Sequence, residues 1–223
     1  MNRVLWNYFN KILSPTLVDS ASISVERITS VIVSNCVKKY LSEESVDMDL
    51  VEIIRGSDGG VEFIDANRVT IGEEVQIGKG TIIYPNVTLL GKTTIGENTK
   101  ILPNCFFENA IIGDDTVIDS SKIVNSEVKK GCTVGPFAHF RMNTVVHENC
   151  RIGNFVEFKN CIFGKDSKCA HLTYLGDCEV GVDVNIGCGV VTVNYDGKKK
   201  HRTKIGDYSF VGSNVNIIAP VTI

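Results

Sequence analysis

Arg141 and Lys159 lie 18 residues apart, each directly behind a phenylalanine, in GPFAHFR and VEFKN. Two cations held side by side repel unless an anion sits between them. An arginine fork together with a lysine point charge suits the oxygens of a phosphate. The plain alternative is a pair of solvated surface cations, which contribute little. Lys129 follows Val128 in the same way without a stacked partner, so one such residue says little. His171 stands in CAHLTYLGD. A neutral imidazole near pH 7 accepts a proton from an ammonium or hydroxyl nucleophile. Cys188, in IGCGVV, has the matching place one coil later, where a backbone N–H can meet a developing oxyanion. A lone histidine also serves structure, and His139, His147 and His201 have no comparable neighbours. None of this chemistry exists unless the fold brings such distant residues into register.

A six-residue repeat supplies that register. From Ile71 the chain reads IGEEVQ, IGKGTI, IYPNVT, LLGKTT, IGENTK and ILPNCF. An aliphatic residue recurs at 71, 77, 83, 89, 95 and 101, and four places after each comes Val75, Thr81, Val87, Thr93, Thr99 or Cys105. The pattern slips and resumes with Ile112, Ile118 and Val124, then runs in sixes from Val128 to Phe158. Further slips precede Phe163 and Val180. A period of six is neither the 3.6 of an amphipathic helix nor the 2 of a simple strand. It fits a short strand plus a corner, so three hexads close a triangular coil of roughly 18 residues, spaced about 4.8 Å from the next. The predicted fold is all-β: a left-handed parallel β-helix domain over residues 61–223, with roughly eight coils and about 40 Å in residues 71–223. A β-sandwich has no reason to keep a strict six-residue period. Arg141 and Lys159 then stack on successive coils of one face. The basic stretch NYDGKKKHRTK (194–204) breaks the repeat and reads as a loop thrown out from a corner. The last residues, NIIAPVTI, stop in mid-hexad with no cap, so a solenoid truncated at its C-terminus is expected.

Residues 1–60 lack the repeat. Apolar residues at 25, 28, 32, 36 and 40 have helical spacing, Ser24 can cap that helix, and the glycine-rich run at 56–60 reads as a joint. No glycine-rich phosphate loop occurs there, so the segment is read as a helical cap or linker without a nucleotide site. The charge of −3 offers no field for nucleic acid, and no apolar run is long enough to span a membrane. The eight cysteines show no C-x-x-C spacing and read as free thiols in a reducing cytoplasm. The four histidines do not stack, which speaks against a zinc site of the kind shared between subunits in γ-type carbonic anhydrases. No metal is predicted.

The stretches GPFAHFR, IGNFVEFKN, HLTYLGD, VNIGCG, TVNYDGKKK and FVGSNVNIIAPVTI, with VEFIDANRVTIG at the entry, resemble one family closely. It is the C-terminal domain of the bacterial bifunctional N-acetylglucosamine-1-phosphate uridyltransferase/glucosamine-1-phosphate acetyltransferases. The similarity runs over about residues 61–223. It implies transfer of acetyl from acetyl-CoA to the amine of glucosamine 1-phosphate, feeding UDP-N-acetylglucosamine and the cell envelope. By motif, it makes His171 the general base and gives the sugar phosphate to Arg141, Lys159, Tyr174, Asn185 and Lys200. It gives acetyl-CoA to Asn194, Tyr195, Ser213 and the backbone of Cys188, with Glu157 as an assistant. It further implies a cytoplasmic homotrimer with sites between subunits. The family's uridyltransferase domain is absent from this sequence, so uridylyl transfer is not predicted. The proline usual after the phosphate-binding arginine is Met142 here. Two other readings remain: a catalytically idle trimerising domain of a sugar nucleotidyltransferase, and an acyltransferase acting on another amino sugar nucleotide.

Overall fold

The computed structural model of this protein describes residues 60–223. The expected helix from Val25, its cap at Ser24 and nearly all of the glycine joint lie outside the described residues. Within them the chain forms the left-handed parallel β-helix that the repeat predicts, in about 9 turns. A short 3-10 turn at Ala66–Arg68 is the one helical element among the described residues. The winding begins at Glu62–Phe63, ahead of the first hexad legible in the sequence, which adds a coil to the expected number.

Each coil contributes one short strand to each of three faces. The first face runs from Glu62–Phe63 to Phe210–Val211, the second from Val69–Ile71 to Asn216–Ile218, and the third from Gln76–Ile77 to Val221–Thr222. Register follows the hexad count, with Val69 opposite Val87 and Ile77 opposite Ile95. The aliphatic positions stack inward, from Ile83 and Leu89 to Ile186 and Val211, as a single continuous core.

The fourth position after each aliphatic residue is buried and small for two reasons. It sits inside a corner with room for few atoms, and its polar atom must find a partner there. Thr81 Oγ1 accordingly donates to Gly96 O at 2.8 Å, in the next coil. Cys105, Cys132 and Cys150 take the same place, with free thiols. Burial pushes the Cys105 thiol up to about 12, so it serves as a small apolar filler and not as a nucleophile.

One expected inward residue does not point inward. Ile123 is fully buried, and Val124 is partly exposed. Lys122 pairs with Phe106, 16 residues back, and with His139, 17 ahead, so this coil is shortened on both sides. A one-residue slip in a strand turns every side chain to the opposite side. The six-residue count carried across that slip therefore lands on the wrong neighbour.

Phe140, Phe158 and Phe163 fill the core beneath the cations. The Phe140 and Phe158 rings stack at 5.1 Å, and Phe158 meets Phe163 at 5.0 Å. Side chains alternate along a strand. The residues next to these phenylalanines, Arg141 and Lys159, therefore project away from the core on the second face, directly paired in register.

Candidate active site

His171 lies at the corner between the first and second faces. In most coils that corner interrupts the strand. Here the strands Arg151–Lys159 and Lys168–Gly176 run through it unbroken and pair Asn154 with His171. The coils can close at this point because residue 153 is glycine, since a Cβ there would collide with the carbonyl of Ala170. The His171 backbone carbonyl accepts from Thr173 Oγ1 at 2.7 Å and from Gly189 N at 3.2 Å. The exposed imidazole makes one bond, Nδ1 to Asn154 Oδ1 at 2.7 Å. Asn214 N donates to the Cys188 carbonyl at 2.7 Å. Asn154, His171, Cys188 and Ser213 thus form one column along the corner, with Cys188 one coil from His171 as expected.

A second column flanks the first. Phe137, Phe155 and Leu172 all adopt left-handed backbone, with φ of 63°, 57° and 48°. They are exposed, and the two phenyl rings stack at 5.3 Å. Bulky residues enter that region at a cost of about 1–3 kcal/mol each, and such strain gathers at functional sites. Equivalent corner positions elsewhere hold Asn86, Asn104 and Asn214, which tolerate it.

At the far end of the second face Arg141 and Lys159 each meet a carboxylate. Arg141 Nε donates to Glu157 Oε1 at 2.8 Å, and Nη2 lies 2.7 Å from the same oxygen. Lys159, only 4% exposed, donates to Asp177 Oδ2 at 2.8 Å. Burial, the largest single influence, would lower the Lys159 ammonium, but its hydrogen bond to Asp177 and the neighbouring charges together outweigh this and hold the group above its ordinary value. For Asp177, burial pulls upward, and hydrogen bonds from Asn160 and Lys159 overcome it and keep the carboxyl below its usual range. Lys200 approaches Lys159 from the ejected loop, and the nearness of the Lys159 ammonium lowers Lys200. Arg141, Lys159 and Lys200 therefore meet, although Lys200 is 41 residues beyond Lys159 in the chain.

Tyr174 lies between the two ends. It pairs with Glu157, and its hydroxyl reaches over Gly176, which itself pairs with Lys159. A Cβ at 176 would collide with that hydroxyl. Gly176→Ala is expected to push the phenol off the second face, which a shift in the Tyr174 ring NMR signals of the variant would show.

The loop is ordered from within. Asp196 Oδ1 accepts from the amides of Lys198 and Lys199, each at 2.8 Å, and its Oδ2 lies 2.6 Å from His201 Nε2. Those backbone bonds, and then His201, bring the Asp196 carboxyl down to about 2. The exposed Tyr195 donates its hydroxyl to Gly197 O and its backbone bridges to Lys200. Asn194 is buried at the root of the loop and donates its side-chain amide to Asp177. Asn185 is different. It sits exposed on the first face, between Lys168 and Phe210, and is not brought to the cations within one chain.

Two residues of evident weight were not singled out from the sequence. Asp177 ties together Lys159, Asn160 and Asn194, and Asn154 holds the His171 ring. Both lie in stretches that carry the resemblance. Only the 17-residue coil length, invisible until the slips are placed, puts Asn154 beside His171.

No family model matches the chain. Over 164 residues, 74% of its length, it is 52% identical to the bifunctional protein GlmU of Geobacillus sp. (strain WCH70), and covers 36% of that protein. The GlmU of Thermodesulfovibrio yellowstonii is 48% identical over 173 residues, 77% of this chain and 38% of that protein. The chain therefore spans little more than a third of the length of these curated relatives. Among solved structures, an Arabidopsis UDP-N-acetylglucosamine acyltransferase matches at a TM-score of 0.35 with 18% identity, covering 71% of this chain and 66% of that one. By its sequence, this chain is similar to the C-terminal part of the bifunctional GlmU proteins.

Proposed function

We propose that this chain transfers an acetyl group from acetyl-CoA to the amine of glucosamine 1-phosphate. The observation that carries the reading is the layout of the second face. Three cations, Arg141, Lys159 and Lys200, gather at one end, and an accessible imidazole stands at the other. A sugar phosphate anchored by its phosphate at the cations would run along Tyr174 and present its amine to His171. His171 takes a proton from the amine as the nitrogen attacks the thioester carbonyl, and returns it to the departing thiolate. The backbone N–H of Cys188, one coil away, stabilises the charge that develops on the carbonyl oxygen. Asn194, Tyr195 and Ser213 hold the coenzyme on the C-terminal side of His171. The HLTYLGD and NYDGK stretches support this acceptor over other amino sugars.

The working assembly in this reading is a cytoplasmic homotrimer with the site between subunits. The resemblance gives Asn185 to the sugar, and from the first face that side chain would reach it only if the first face of one copy met the second face of another. No helix among the described residues is long and apolar enough to cross a membrane.

A thiol-release assay tests the proposal by varying both substrates. Release is expected with acetyl-CoA and glucosamine 1-phosphate, and not when a long-chain acyl thioester and a UDP-linked amino sugar replace them. Activity with the second pair alone would overturn the assignment of substrate.

A further inference from the structure

We propose that Asn154 is a positioning residue that fixes the neutral His171 ring as its Nδ1–H tautomer, leaving Nε2 as the free acceptor. This rests on the proposed role of His171 as the base. A neutral imidazole carries one donor and one acceptor nitrogen, and the partner of one decides the character of the other. Asn154 Oδ1, at 2.7 Å from Nδ1, has no proton to give, so Nδ1 must carry it. Nε2 is then left with its lone pair on an exposed ring, available to a substrate amine. In water a free neutral imidazole prefers its proton on Nε2, the form that offers a donor where this reaction needs an acceptor.

The geometry is held from several sides. Strand pairing runs through this corner and places residue 154 opposite residue 171. Gly153 allows the close approach to Ala170, and the His171 carbonyl is tied to Thr173 and Gly189. The ring is therefore carried on a backbone with little freedom, and the Asn154 amide supplies the remaining constraint. The strained neighbours Phe155 and Leu172 bracket the same pair in sequence.

Two measurements test the proposal. The first is the pattern of 15N shifts and couplings of the His171 ring in the unmodified protein, at a pH where the ring is neutral. A protonated Nδ1 and bare Nε2 are expected. A protonated Nε2 would mean that the Asn154 amide is turned round and donates, and would overturn the proposal without reference to turnover. The second is kinetic. Asn154→Ala is expected to lower kcat by roughly 10- to 100-fold, the range seen when the hydrogen-bond partner that orients a metal-ligating imidazole is removed. KM for glucosamine 1-phosphate should stay unchanged. Asn154→Asp, which keeps an acceptor in place, is expected to restore most of kcat, and Asn154→Leu is not. A variant that merely disturbs the fold would move KM as well and would not be rescued by aspartate. If His171→Ala itself retains full activity, the base assignment fails. If His171→Ala is inactive while Asn154→Ala keeps full kcat, only the positioning role fails.

Discussion

Replacing His171 by alanine is expected to lower the rate of thiol release from acetyl-CoA, with glucosamine 1-phosphate as acceptor, by roughly 10²- to 10⁴-fold, the usual contribution of a positioned acid–base group. The loss should fall on kcat and kcat/KM together, because a proton acceptor acts as the nitrogen attacks and contributes little to ground-state binding. The side chain is exposed, and its one side-chain hydrogen bond is to Asn154. The fold should therefore be untouched, and an unchanged urea midpoint is the control. The cations make a contrast. Arg141 and Lys200 sit at the far end of the second face, so their loss should appear first in KM. A His171→Ala variant with full activity would remove the base from the mechanism, and the corner column would then need another purpose.

Replacing Asp177 by alanine is expected to destabilise the protein by about 3–5 kcal/mol, because it leaves the Lys159 ammonium buried without its counter-ion. Asn160 and Asn194 lose their acceptor at the same time. Removing the cation as well, in Asp177→Ala/Lys159→Met, should recover part of the loss, since the cost lies in the stranded charge more than in the missing bond. Urea unfolding of the three proteins measures this. A change within about 0.5 kcal/mol for Asp177→Ala would place the pair among ordinary surface contacts. The pH dependence follows from the two displacements. Asp177 is held below its ordinary value, so its contribution is present above about pH 3.9 and fades as the pH falls through the folded value. Lys159 is held above its ordinary value, so its contribution is complete below about pH 10.4 and fades as the pH rises through the folded value. Between those limits, which include neutrality, the pair stabilises the fold evenly. The same pair bears on binding. Asp177 neutralises one of three neighbouring cations, which lets Arg141, Lys159 and Lys200 stand together before any phosphate arrives.

The recurrence at Ile71, Ile77, Ile83 and Leu89 is enough by itself to write down a parallel coil, its inward positions and its spacing. The reason is physical. In a solenoid each residue packs against its equivalent one coil away, so the long-range contacts are a simple function of position in the chain. The pairing of Arg141 with Lys159 was legible on that basis, as was the place of Cys188 one coil from His171. The interior threonines and cysteines were legible too, because a narrow corner admits only small residues.

What the tertiary structure decided lies where that simple function breaks. The shortened coil around Ile123 turned the inward position by one residue, since strand alternation gives no warning of where a slip is absorbed. The coils of 17 residues set Asn154 against His171, and with it the state of the imidazole. The ejected loop doubles back on Asp196 to deliver Lys200 beside Lys159, and a turn of that kind has no period to read. The partners of the cations, Glu157 and Asp177, were in plain sight in the sequence. Which charge each would meet depended on side chains folding across a face, where distance along the chain has no bearing on distance in space.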